Sequence, residues 1–252
     1  VRFEDGSASV PSISNSGDTN TGMYFPADET IGFTSGGVAS FNLNNQGNIV
    51  YVGSMQIQSD AQTGSLIVAG GNNSNDGANI AVHGPSHASL ANVTRFRQDT
   101  VESMRIDATG AVTMPLQPAF LARPSSTQDN VAENDVIVFG TEVFDQNADF
   151  SSNTFTAPVA GRYQLNAAIR ASPLDTAATW NRLEVITSNR SYNSAIMDPG
   201  VLASDPVYWH FQTSVLADMD AGDTAHLRWG QAGGATQVDI DTDSHFSGYL
   251  VA

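Results

Sequence analysis

The side chains able to do chemistry in this sequence are mostly carboxylates. Asp239, Asp241 and Asp243 alternate in VDIDTDSHF, and on a strand residues i, i+2 and i+4 line one face. Three carboxylates side by side suit a hard cation such as Ca2+, which takes oxygen ligands. Asp218, Asp220 and Asp223, in ADMDAGD, could add ligands, but they lack the spacing of an EF-hand loop and read equally as a polar turn. The plain alternative is a solvated acidic face, because strand alternation alone does not converge ligands on a point. His83 and His87 stand four apart in HGPSH, a spacing that suits a metal pair only on a helix. Gly84 and Pro85 argue against a helix there, which leaves turn or core histidines, or a site completed by copies of one His around a symmetry axis.

Nucleophilic catalysis finds no support. There is no Cys, and no G-x-S-x-G or comparable constellation. Among 26 acidic residues, paired carboxylates for glycoside cleavage arise by chance, and nothing selects one pair. No enzymatic activity is expected. Trp180, Trp209, Trp229, Tyr192 and Tyr208 each read as core or as exposed contact. Trp229 alternates with Leu227 and reads as core. Trp180, Arg190 and Tyr192 lie in polar, small-residue stretches that read as loops, where binding residues concentrate. These three are the candidate binding contacts.

Positioning such groups requires a scaffold, and the composition calls for strands and turns. Twenty-two Gly and 10 Pro, with abundant Asn, Ser and Thr, favour many turns and few helices. All 10 basic residues are Arg, and the net charge is −16. Such a chain is repelled by phosphate backbones and anionic membrane surfaces, so nucleic-acid and basic membrane docking are excluded as expectations. No apolar run approaches the roughly 20 residues of a membrane helix, so no membrane insertion is expected. The sequence opens VRFEDGSASV, without Met, as expected of a piece of a longer chain.

Pro115 and Pro118 divide the sequence into residues 1–118 and 119–252. The first part repeats itself: FTSGGVASFNLNNQGNIV, from Phe33, aligns without gaps to FRQDTVESMRIDATGAVT, from Phe96, at an offset of 63 residues. Phe33/Phe96, Val38/Val101, Ser40/Ser103 and Gly47/Gly110 match, while Phe41/Met104, Leu43/Ile106 and Ile49/Val112 stay apolar. Each copy reads as alternating strands around a Gly turn. One or two apolar side chains per strand fall short of the ordering entropy, roughly 1–2 kcal/mol per residue, so the core of such a β shaft is expected to form across several chains. The second part alternates at period 2 in GRYQLNAAI, NRLEVIT and AHLRWG, as in one antiparallel sandwich. Its last strand, HFSGYLVA, has Phe246, Gly248 and Leu250 on one face and Tyr249 and Val251 on the other. Two apolar faces fit a strand buried in its own sandwich and against a neighbour, so Tyr249 and Val251 are the candidate interchain contacts.

Phe144, Asp145, Phe150, Phe155, Thr156, Pro158, Gly161 and Tyr163, then Ala221-Gly222-Asp223 and Phe246-Ser247-Gly248-Tyr249-Leu250, make residues 119–252 resemble the head domains of the complement C1q and tumour-necrosis-factor superfamily. That resemblance implies a jelly-roll head, a homotrimer, binding rather than catalysis, and in some relatives calcium. SGDTNTGMYFPADETIGFTSGG, ANIAVHGPSHAS and ESMRIDATGAV resemble the repetitive shafts of tailed-bacteriophage tail fibres. Together these imply an all-β protein, a trimeric shaft followed by a C1q-like head. They also imply a place in the virion and a bacterial cell-surface receptor, glycan or protein, as partner. The rivals are a structural protein that registers and caps three chains or decorates the virion, and, more remotely, a hydrolase of surface polysaccharide.

Overall fold

The computed structural model describes residues 2–51 and 57–252, and among them every regular element except one 3-10 turn, Pro199–Val201, is a strand. Two compact units emerge: Val1–Leu66 with His83–Ala91, and Ile67–Val82 with Asn92–Ala252. The protein is all-β, with antiparallel N-terminal sheets and a C-terminal sandwich.

The first sheet is a meander of β1 (Ile13–Asn15), β2 (Asp18–Tyr24), β3 (Ile31–Ser35), β4 (Val38–Leu43) and β5 (Ile49–Tyr51), in that order. The second runs through β6 (Ser65–Ala69), β7 (Ala78–His83), β8 (Thr94–Gln98), β9 (Val101–Ile106) and β10 (Val112–Thr113). The two copies of the repeat fold alike. Both carry a bulge after the phenylalanine, at Phe33/Thr34 and at Phe96/Arg97. Both turn at a left-handed glycine, Gly47 (φ 76°) or Gly110 (φ 88°), whose N–H donates to Asn44 or Asp107. A side-chain oxygen of that same residue also accepts from the N–H four positions on, at 2.9 Å and 3.0 Å. The sequence match thus encodes turn chemistry as well as alternation.

The head packs two sheets face to face. One contains β11 (Ala119–Arg123), β12 (Thr141–Asp145), β15 (Gly161–Ser172), β18 (Trp209–Met219), β20 (Asp239–Ile240) and β21 (His245–Leu250). Its order is β12-β11-β21-β15-β18, with β20 paired to the end of β15. The other contains β13 (Phe150–Ser151), β14 (Thr154–Thr156), β16 (Ala178–Thr187), β17 (Ser191–Met197) and β19 (Thr224–Gly233), in the order β13-β14-β19-β16-β17. Between them Phe120 stacks on Phe150 and Phe155, both at 4.9 Å, with Phe246 edge-on at 5.0 Å. Trp229, fully buried, meets Phe211 edge-on at 5.2 Å. Tyr163 keeps its ring in this core and satisfies its hydroxyl by donating to Val159 O at 2.7 Å.

The motif glycine Gly161 lies where β15 meets the end of the chain. A Cβ there would come within 2.6 Å of Leu250 Cδ1 and 2.7 Å of Ala252 O, so only glycine permits this approach. Asp145 fixes the following turn by accepting from the N–H groups of Asp149 and Phe150 at 3.0 and 2.9 Å.

Candidate functional site

Strand direction sorts the head's loops into two ends. The chain enters the head at Ala119 and leaves it at Leu250, at the end that also holds the start of β15, the β16–β17 turn and the β18–β19 turn. The far end, some 12 residues along β15 and so roughly 35 Å away, holds residues 173–177, 198–208 and 234–244. Arg190 and Asp218, paired at 2.8 Å, belong to the first end. Beside them Asp223 gathers the N–H of Asp220, Ser188 Oγ and Asn189 Nδ2, and these bonds hold its carboxyl below the usual range, the Asp220 N–H contributing most.

The three candidate receptor contacts therefore do not form one site. Trp180 and Tyr192 are on strands, not loops. Tyr192 faces Val185 in register and packs against the core. Trp180 lies on the outer face of β16, stacked with the Arg182 guanidinium 4.3 Å from a ring centroid. Arg182 and Arg228 in turn grip Glu184 at 2.7 and 2.6 Å, leaving that carboxylate only 1% exposed. Gly230 makes room for the stack: a Cβ there would sit 2.8 Å from Arg182 Cγ and 3.1 Å from Trp180 Cζ3. This arrangement is a structural clamp.

The aspartate triplet is also rearranged. Strand β20 ends at Ile240, and a turn follows in which Ser244 N–H donates to Asp241 O. The three carboxylates consequently do not share a strand face. Asp239 Oδ1 accepts from Asn130 N–H at 2.8 Å, while Asp241 and Asp243 both turn to Arg170, at 3.4 and 2.9 Å. Among the described residues no group of three or more His, Cys, Asp or Glu is placed to hold a metal ion. His83 and His87 pack their rings edge to face at 4.6 Å. His83 Nδ1 bonds Ser65 Oγ at 2.7 Å, and His87 Nδ1 accepts from the N–H groups of Ser89 and Leu90.

What the fold does assemble is at the far end. The Arg170 guanidinium, fixed by Asp241 and Asp243, lies 4.9 Å from the centre of the Tyr208 ring. Tyr208 is 58% exposed and Trp209 40% exposed, with Val207 exposed next to them in the chain and Val201 exposed in the same connecting segment. The loops beneath are braced. Asp205 Oδ1 accepts from Thr176 N–H at 2.8 Å and Thr176 Oγ1 at 2.6 Å, chiefly through the hydroxyl holding that carboxyl below its usual value. Asp175 accepts from the N–H groups of Ala177 and Ala235, and Ser172 Oγ donates to Val207 O. Exposed aromatic rings on a cross-linked platform, with carboxylates and one Arg at hand, offer stacking and hydrogen-bonding partners together. In the sequence Val207-Tyr208-Trp209, after Pro206, is one of several apolar runs in the head, alongside Val136-Ile137-Val138-Phe139 and Tyr249-Leu250-Val251, so it does not single out the site.

A second surface is the outer face of the β12-β11-β21-β15-β18 sheet. Tyr249, Gln164 and Leu216 lie in one cross-strand row, and Phe144, Leu121, Ser247, Asn166 and Ser214 in another. Tyr249, Leu216, Phe144 and, beyond β21, Val251 are all about half exposed. Gln164, Asn166 and Ser214 hydrogen-bond one another between them at 2.7–3.3 Å.

The C1q domain family model matches residues 119–251, just over half of the chain. The chain belongs to the C1q domain family. Among solved structures, the globular domain of zebrafish complement 1qA protein is similar at 18% identity and a TM-score of 0.41, covering 54% of this chain and 98% of its own. Murine APRIL at pH 8.5 is similar at 8% identity and a TM-score of 0.40, covering 54% and 99%. None of the curated proteins matches the chain. C1q and tumour-necrosis-factor-like domains typically trimerise.

Proposed function

We propose that the chain is the receptor-binding end of a tailed-bacteriophage tail fibre. In this reading it is a homotrimer carried on the virion, and its head attaches to a bacterial cell-surface glycan or protein by binding rather than catalysis. The observation that carries the reading is the exposed Val207–Trp209 segment, with Tyr208 packed on Arg170, on braced loops at the end of the head opposite Ala119. Loops on a rigid sandwich present contacts without ordering cost at the moment of binding. The half-exposed row through Tyr249 and Leu216 supports trimerisation through that sheet. Resemblance of the repeat phrases to fibre shafts supports the virion setting. Three heads per fibre multiply weak single contacts, by roughly 10²–10⁴ in avidity.

The test is adsorption of the labelled chain to a panel of bacterial strains and to soluble glycans, with the supernatant analysed for released sugar. Binding without product supports attachment. Released oligosaccharide favours a polysaccharide hydrolase instead, and neither adsorption nor product favours a structural capping or decoration protein.

A further inference from the structure

The two N-terminal sheets have inverted polarity. Across the first sheet Ile13, Met23, Phe33, Phe41 and Tyr51 stand directly opposite one another, with Ile31, Leu43 and Ile49 in the neighbouring row. Phe33 stacks on Phe41 at 4.5 Å, and Phe41 meets Tyr51 at 5.8 Å. This uncharged face is open: Ile13, Ile49 and Tyr51 are exposed, and Met23, Phe33 and Phe41 are only partly covered. The face that the chain itself covers is the more polar one. Tyr24 is buried against Gly32, and buried Thr34 donates to Ala8 O at 2.8 Å. The second sheet repeats the pattern. Ile80, Phe96 and Met104 form one open row and Val82, Thr94, Ile106 and Val112 another, while Asn79 and Ala81 behind them are buried.

We propose that these open rows dock onto the same rows of further copies of this chain, so that the core of both sheets is built between chains. Three observations select a second copy as the occupant. The rows recur at the same strand positions 63 residues apart, so a surface fitting one also fits the other, and another copy of the chain supplies both. The rows hold no charge in a chain of net charge −16, so self-association is unopposed there. Finally, five residues, Met114–Pro118, join β10 to β11, a reach of at most about 17 Å. Gln146 Nε2 and Asn147 Nδ2 tie this connector down through Met114 O, Gln117 O and Leu116 O. Trimerised heads would therefore hold three second sheets together at high effective concentration. The proposal rests on the trimeric reading of the head.

The chain has no native cysteine, which makes thiol cross-linking clean. Phe41→Cys, Met104→Cys and, on the head, Tyr249→Cys are made singly in the full chain, with Thr109→Cys in an exposed turn as control. Each is treated with a short bis-maleimide, and parallel samples are weighed by light scattering. The expected result is interchain dimers on denaturing gels from Phe41→Cys and Met104→Cys and none from Thr109→Cys. If both row variants stay uncross-linked while their mass is that of an assembly, the rows are not interchain and the proposal is overturned. A monomeric unmodified chain overturns it too. Cross-linking from Tyr249→Cys without the row variants would leave the trimeric head standing and remove this inference alone.

Discussion

Arg170 of β15 meets Tyr208, the residue just before β18: the guanidinium lies 4.9 Å from the centre of the ring, while Asp243 holds it at 2.9 Å. Arg190 has a superficially similar ion pair with Asp218 at 2.8 Å, but at the other end of the sandwich and with both partners about half exposed or more. The two arginines should separate in experiment. Arg170→Ala should cost about 1 kcal/mol by thermal or chemical unfolding, through the lost cation–π contact and pair, and should weaken cell adsorption. Arg190→Ala should change stability by less than about 1 kcal/mol and leave adsorption intact.

Glu184 supplies a sharper stability test. Its carboxylate is almost fully buried between Arg182 and Arg228, and removing one partner of a buried pair leaves a charge poorly compensated. Arg228→Met should destabilise the head by about 2–3 kcal/mol, somewhat below the value for a fully enclosed pair because Arg182 remains and is partly exposed. Equilibrium denaturation of the variant measures it, and an effect near zero would show that the clamp is superfluous.

The apolar row on the outer head sheet should be equally revealing. Leu216→Asp places a carboxylate beside Gln164, in the cross-strand row that also holds Tyr249. If three heads meet there, the change should weaken assembly by a few kcal/mol per buried site. Light scattering across a dilution series should show the mass falling from three times 26.6 kDa at higher concentrations than for the unaltered chain.

Two histidines set a pH window. Burial, then the neighbouring Arg228, lowers the pKa of His226 below 6.5, and burial, then Arg123, does the same for His245. A folded value below the unfolded one means that protonation favours unfolding. Their contribution is therefore complete above 6.5 and is lost as pH falls through 6.5 toward the lowered folded values. The melting temperature should drop as pH falls below 6.5, and the pair His226→Gln/His245→Gln should flatten that drop. Asp149, raised by burial and then by Asp145, acts in the opposite sense, favouring the folded state on protonation, but in a range beginning near the ordinary carboxylate value of 3.8.

The sequence made the strands legible because the head alternates strictly where one face is buried: Tyr163, Leu165, Ala167 and Ile169 all enter the core. The repeat was legible because Gly47 and Gly110 need left-handed backbone. The site was not legible, for a topological reason. Which loops share an end follows from pairings such as Arg170 with His210 and Arg182 with Gly230, which join residues far apart in the chain. Local polarity made Trp180 and Tyr192 look like loop residues, yet cross-strand partners hold both in sheets. Period 2 in Asp239, Asp241 and Asp243 looked like one strand face, but a strand of two residues followed by a turn has no such face.

The most direct test of the account is adsorption of the labelled 252-residue chain to a susceptible bacterial strain, comparing the unaltered protein with the double variant Tyr208→Ala/Trp209→Ala. Tyr208 is 58% exposed and Trp209 40% exposed, so the variant should keep its assembly mass while losing at least tenfold in adsorption, about 1.4 kcal/mol. Undiminished adsorption by a correctly assembled double variant would contradict recognition at this end of the head.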